Sequence, residues 1–427
     1  MKKTLSCCAF LALALCPLAA QRLVEVGTGF SQTSVNTAVF RHHALVTHGD
    51  KQYIAYYDAD GYMVLGRRQL ANKRWTLERT AHRGKVSDAH NVISLGVDGD
   101  GYVHVAFDHH GDPLNYCRGV APGSLTLGEK REMVGSDEND VTYPQFYEMP
   151  DGSLLFAYRD GASGQGNLVL NRYEPATRKW QRMHDVLVDG ERQRNAYWQL
   201  CVDRQGTLHL SWVWRETPSV ETNHDLCYAR SRDGGRSWER ADGTPYQLPI
   251  NAANAEYAFR IPQGSELINQ TGMAADERGC PYIATYWRDA DSDIPQYRLV
   301  WHDGNAWQCR QVGQRTSPFS LSGVGTKRIP IARPAIAVDG DKVYYLFRDE
   351  ERGSRVSMAT TDCPERRQWT VTDLTAFAVN AWEPVYDEEL WRQRRQLHLF
   401  IQNTEQGDGE RSVAAKPSPV FVLEAVK

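Results

Sequence analysis

Short runs of apolar residues, many alternating with polar ones, recur along the whole chain and are punctuated by Asp/Gly turns. The unit is an apolar stretch, a turn, then a strand-like segment rich in Tyr, Val and Leu. Seven copies can be read: His48-Gly49-Asp50 before YIAYYD, Asp98-Gly99-Asp100-Gly101 before YVHVAFDHH, Asp151-Gly152 before SLLFAYRD, Arg204-Gln205-Gly206 before TLHLSWVWR, Glu277-Arg278-Gly279 before PYIATYWRD, Gly340-Asp341 before KVYYLFRDE, and Arg394-Arg395 before QLHLFIQ. Period-2 patterning predicts strands, and the turn residues predict hairpins. Turns about 50–70 residues apart have the spacing of propeller blades. The fold expected is all-β, a seven-bladed β-propeller occupying residues 21–427 as a single domain. Ser231-Arg232-Asp233-Gly234-Gly235-Arg236-Ser237-Trp238 adds an Asp-box, a hairpin turn common in propellers.

Composition narrows the function. The 427 residues hold 49 Lys+Arg against 53 Asp+Glu, a net charge of −4, with no basic block; this argues against a nucleic-acid binder. Residues 1–20 read as a secretory signal: Lys2 and Lys3, an apolar Leu5–Leu15, and Ala19-Ala20 at the cleavage site. Leu13-Ala14-Leu15-Cys16 is an imperfect lipoprotein box, because Leu15 is bulky. The expected location is periplasmic or extracellular. No later stretch reaches the ~18 apolar residues of a membrane span. Six cysteines remain beyond the signal, at 117, 201, 227, 280, 309 and 363, without a CxxC. One or two disulfides and buried free thiols are both open.

The repeat also predicts which side chains meet. If each Asp/Gly turn joins a blade's first and second strands, first-strand starts and second-strand ends share one face around the channel. About nine residues before the turn glycines stand His90, Tyr143, Tyr197 and Gln270. Just after the second strands stand His109, His110, Arg159, Arg215, Arg288 and Arg348. Arg333 falls near a first-strand start, and His42 aligns roughly with His90. An Arg cluster in an acidic protein points to an anionic ligand. His, Tyr and Arg together suit proton abstraction beside a carboxylate: Arg neutralises a uronate, and His or Tyr moves the protons at C5 and O4. That is β-elimination. Glycosidases usually need two carboxyls, and the repeat assembles no such pair. His48, in the first turn, falls on the opposite face.

At these residues the chain resembles a known family. The segments FRHHALVTHGDKQYIAYYDADGYMVLGRR, SDAHNVISLGVDGDGYVHVAFDHH and AFRIPQGSELINQTGM are similar to those of BNR-4 repeat proteins, seven-bladed propellers that include ulvan lyases and enzymes acting on L-rhamnose-α-1,4-D-glucuronate, the cap of arabinogalactan glycans. The lyases carry a His pair twenty apart, then a Tyr and an Arg sixteen apart; the resemblance implies His90, His110, Tyr143 and Arg159 as the lyase site. Arg215 and Arg333 match less closely as carboxylate binders, and Tyr197, His42 and Arg288 complete the expected binding surface. A second branch looks like α-L-rhamnosidases with a single catalytic His on the opposite face, which falls on His48. The expected function is release of terminal L-rhamnose from an anionic glycan containing glucuronate and rhamnose, by elimination ahead of hydrolysis. A non-catalytic glycan-binding propeller is the alternative from another class. No catalytic metal or cofactor is expected; a structural calcium at Asp98 and Asp100 is left open. Phe259-Arg260-Ile261-Pro262 imitates the sialidase FRIP motif, but it follows the Asp-box instead of preceding it.

Overall fold

The computed structural model describes residues 21–38, 40–269, 272–366 and 368–425. The expected export segment and Gln270 lie outside the described residues. Seven antiparallel sheets form a seven-bladed β-propeller. Blade one holds Leu45–His48, Lys51–Tyr57, Tyr62–Gln69 and Thr76–Arg83. Blade two holds Ile93–Val97, Val103–Phe107 and Tyr116–Arg118. Blade three holds Val141–Glu148, Leu154–Ala162, Gln165–Glu174 and Lys179–Val188, and His110–Asp112 joins its inner edge. Blade four runs Asn195–Val202, Leu208–Arg215, Asn223–Ser231 and Glu256–Phe259. Blades five and six begin with Gly272–Ala275 and Ala335–Asp339. The N-terminal strand Arg22–Gly29 pairs with Ser418–Ala425, which pairs with Leu397–Gln402, so the two chain ends close the ring in blade seven.

The apolar cores lie between blades. Val46, Ala55 and Leu65 of blade one pack on Leu95 and Val105 of blade two, and similar clusters join the other neighbours. Each sheet is therefore covered on both faces. Ile93–Val97 and Val103–Phe107 are buried throughout, whereas the outer strand Thr76–Arg83 alternates between exposed and half-buried positions. Removing one large side chain from such a core, Trp212 or Trp214 for example, costs about 3–5 kcal/mol. The blade-two and blade-three turns meet at Gly99 and Gly152: Gly99 N–H donates to the Gly152 carbonyl at 2.7 Å, and a Cβ on Gly99 would lie 2.8 Å from the Gly152 Cα.

The Asp/Gly turns are built as hairpins from the first to the sixth. In blades two and four they share a buried device. Asp98 accepts from the backbone N–H of Asp100 and Tyr102 and faces His104 Nε2 at 3.1 Å, while His104 Nδ1 meets the Tyr116 hydroxyl at 2.7 Å. Asp203, His209 and Tyr228 repeat the arrangement. The Asp98 oxygens left open for calcium are thus engaged by their own turn and by His104. In the Asp-box, Asp233 accepts from the N–H of Arg236 and Ser237, and the buried Trp238 donates to the Gly235 carbonyl.

The seventh copy differs. Residues 385–387 still pair with Leu397–Gln402 through the Tyr386–Leu399 bridge, but a short helix, Glu388–Arg394, capped by Asp387 and ended by Arg395 at φ 56°, stands in place of a tight turn. Acidic residues in its first turn and basic ones in its last complement the helix dipole. All six described cysteines are free thiols, three of them buried. Among the described residues no helix is long and apolar enough to cross a membrane.

Candidate active site

A cavity of about 350 Å³ opens at the channel mouth on the face opposite the hairpin turns. His90, His110, Tyr143, Arg159, Tyr197, Arg215 and Arg333 all line it, together with Phe40, Ser163, Asn269 and the loop Val324–Lys327. Local sequence explains how several reach it. Tyr143 lies inside a first strand, followed by Pro144, which has no N–H for the ladder. The pairing shifts register between Thr142 and Gln145, and Tyr143 takes a positive φ of 56°. Its side chain packs against Phe40 at 5.1 Å and Tyr197 at 5.9 Å. Strand pairing sets Arg159 opposite Thr142, to whose hydroxyl it donates at 3.0 Å; its guanidinium carbon stands 5.1 Å from the Tyr143 ring.

The two histidines form one unit. Their rings stack at 3.9 Å, and Asp88 bridges them: Oδ1 lies 2.9 Å from His90 Nδ1 and Oδ2 lies 2.6 Å from His110 Nδ1. Burial would raise the Asp88 carboxyl, but the His110 and His90 hydrogen bonds outweigh it and hold it well below the usual carboxylate range. Burial pushes His90 below its ordinary value. With Nδ1–H turned to Asp88, each imidazole keeps Nε2 as its lone-pair atom. Thr326 and Glu410 approach His90 from loops at 3.5 and 3.6 Å.

The other polar groups divide by partner. Arg215 donates to the Tyr197 hydroxyl at 3.2 Å and to the Pro218 carbonyl at 2.7 Å; the Tyr197 hydroxyl also meets Ser163 at 3.0 Å. Burial opposes it, yet Arg215 and Arg159 hold Tyr197 below its ordinary value, whereas burial, with Tyr197 beside it, raises Tyr143. Arg333 is clamped by Glu383, with Nε at 2.8 Å and Nη2 at 2.5 Å. Arg159 and Arg215 are instead held by neutral oxygens, and buried Arg159 Nε makes no hydrogen bond. These two guanidiniums are the better placed to meet an anion.

Three expected residues lie elsewhere. His42 does not reach this mouth: residues 40–44 turn into the channel instead of forming a strand start, and His42 is buried against His43 and Tyr147. Arg288 does not line the cavity; it donates to the Gly264 and Ser292 carbonyls and stands 3.8 Å from Glu266, which hold it in its own loop. His48 ends the first strand of blade one beside its turn, half-buried on the opposite face. His109, next to His110, is fully buried; its Nε2 accepts from Asn115 N–H, and burial pushes it down to about 3. Arg260 of the FRIP segment pairs with Asp225. Sequence reasoning missed Asp88, whose only signal is its place two residues before His90. It also missed Glu410 and Thr326, which loops distant in sequence bring in.

Residues 51–315 match the model of the BNR repeat-containing family. The chain belongs to this family. Among curated relatives, the ulvan lyase, long isoform, of an Alteromonas species is 22% identical over 55% of this chain and 29% of its own length. The ulvan lyase of Alteromonas sp. (strain LOR) is 21% identical over 76% of each chain. The chain thus spans under a third of the long isoforms. Among solved structures, polysaccharide lyase Uly1 superposes with a TM-score of 0.69 at 13% identity, over 95% of this chain and 99% of the other. A PL25 ulvan lyase bound to -[GlcA(1-4)Rha3S]- gives 0.70 at 14% identity, over 95% and 96%. At such identities the structures establish the shared propeller fold.

Proposed function

We propose that the protein is an exported polysaccharide lyase that cleaves a rhamnose-α-1,4-glucuronate linkage by β-elimination, releasing terminal L-rhamnose. The observation that carries this reading is the convergence on one cavity of an Asp88-bridged His pair, two tyrosines and two guanidiniums that, among the described residues, have no carboxylate partner. Its ulvan lyase relatives support the same reaction class. Arg159 and Arg215 bind the uronate carboxylate and stabilise the enediolate that forms as the C5 proton leaves. Nε2 of His90 or His110 accepts that proton. Buried Tyr143, its pKa raised, keeps its own proton until it passes it to O4 as the C4–O4 bond breaks. The electrons of the C5–H bond become the C4=C5 double bond, and rhamnose departs with O4. The loop Val324–Lys327, which walls the mouth beside His90, supports attack at a chain end.

A product assay tests this. The protein is incubated with a rhamnose-α-1,4-glucuronate oligosaccharide and, separately, with ulvan, and free rhamnose and the ultraviolet absorbance of an unsaturated uronate are followed. Rhamnose with absorbance is expected from the oligosaccharide. Rhamnose without absorbance would mean hydrolysis and point to His48. Absorbance from ulvan alone would keep the elimination and replace the substrate. Neither product would favour a glycan-binding propeller.

A further inference from the structure

A second cluster, on the propeller axis, takes no part in this chemistry. His42 and His43 stack at 3.9 Å, each only 3% exposed. His43 Nδ1 stands 3.1 Å from Glu148 Oε2, an ion-pair distance, although neither atom makes a hydrogen bond among the described residues. His42 is left wanting: its Nδ1 is 3.6 Å from Glu388 Oε1, beyond hydrogen-bond reach, and its buried Nε2 has no hydrogen-bond partner. A buried ring nitrogen without a hydrogen bond is costly, and Nδ1 is left facing only the Glu388 carboxylate. The charges are equally unbalanced. His43 answers Glu148 and Arg392 answers Glu389, while Glu388 faces His42. One ligand atom from each of His42, His43 and Glu388 lies within 4.8 Å of the others, beside a cavity of about 30 Å³ that all three line.

A cation bound by His42 Nδ1 and Glu388 gives that nitrogen a partner and balances the Glu388 charge. Zinc binds nitrogen and oxygen at about 2.0–2.1 Å, which sets two ligands at a tetrahedral angle about 3.4 Å apart. The 3.6 Å between His42 Nδ1 and Glu388 Oε1 fits that spacing. His43, with Nδ1 turned to Glu148, offers Nε2 in the carboxylate–histidine–metal arrangement common to such sites. Two imidazoles and one carboxylate suit a zinc-class ion; calcium takes six or more oxygens. At the active site, by contrast, both Nδ1 atoms already face Asp88 at 2.6 and 2.9 Å.

We infer that His42, His43 and Glu388 form a structural site for one divalent transition-metal ion of the zinc class, with Glu148 orienting His43. The ion ties the loop entering blade one to the helix of blade seven, beside the ring closure.

The test uses the full chain, stripped with a chelator, dialysed against zinc chloride and freed of loose metal. Zinc per chain is measured by mass spectrometry and melting by circular dichroism, neither of which depends on the proposed elimination. One equivalent of zinc and a higher melting temperature are expected. His42→Gln and Glu388→Gln should each reduce zinc to background, and His90→Gln should retain it. If His42→Gln does not fold, Glu388→Gln carries the decision. Absence of stoichiometric zinc, zinc that persists in Glu388→Gln, or zinc lost only in His90→Gln overturns the site.

Discussion

Asp88→Asn is the sharpest perturbation of the proposed mechanism, because one carboxylate orients both imidazoles. Its oxygens face His90 Nδ1 at 2.9 Å and His110 Nδ1 at 2.6 Å. An amide retains one acceptor, but its NH2 group meets the other ring as a donor. That ring must then present a lone pair at Nδ1, which moves its proton to Nε2, the atom that has to accept the C5 proton. A hydrogen bond to a charged group contributes about 1.5–3 kcal/mol. Loss of one such bond at its upper value corresponds to about a hundredfold in rate. The assay is the initial rate of unsaturated uronate formation across pH, with circular dichroism to confirm the fold. The sign of the pH effect follows from the charges. Asp88 raises the His90 pKa against the burial that lowers it, and the base works only when neutral. Removing the carboxylate lowers that pKa further, so the acid limb of the rate profile should move to lower pH while the plateau falls. An unchanged plateau, or a limb moved to higher pH, would refute the assignment of the His pair as the base.

Four further outcomes are expected. Tyr143→Phe keeps the ring packing against Phe40 and Tyr197 but removes the acid, and should slow elimination by about 10²–10⁴-fold with an unchanged dichroism spectrum; full activity would exclude Tyr143 as the acid. Arg159→Ala should lower kcat/KM by about 10–100-fold, consistent with one lost charged hydrogen bond, and should weaken binding of a free uronate in calorimetry. His48→Gln should leave elimination unchanged, since His48 stands on the opposite face; a matching loss of lyase rate would break the two-face description. His104→Ala leaves buried Asp98 without its imidazole and should cost about 3–5 kcal/mol in denaturant unfolding. Asp98 is held below its ordinary value against burial, chiefly by the His104 hydrogen bond and charge, so its stabilisation is present above the unfolded carboxyl pKa and is lost as pH falls through the folded one. The variant should therefore show a weaker loss of stability on acidification.

What the chain determined by itself was periodicity. Asp/Gly turns and Tyr/Val/Leu strands specify local hairpins, and hairpins spaced about 50–70 residues apart can bury both faces only by packing radially, so the blade count and the face of each strand end were legible. His90, His110, Tyr143, Arg159, Tyr197, Arg215 and Arg333 converge because each occupies a comparable position in its own blade or just before it. Position in the repeat carried no information where the repeat breaks. Residues 40–44 turn into the channel and take His42 away from the mouth, and a helix of good propensity and charge pattern replaces the tight turn of the seventh copy. Neither can periodicity see a contact made by a loop. Glu410 and Thr326 reach His90 only because ring closure brings the C-terminal loop and the segment before blade six over the same channel mouth. The charge state of the site was decided at that level too. Glu383 neutralises Arg333 while neutral oxygens hold Arg159, and these pairings depend on distances between blades that strand patterning leaves unspecified.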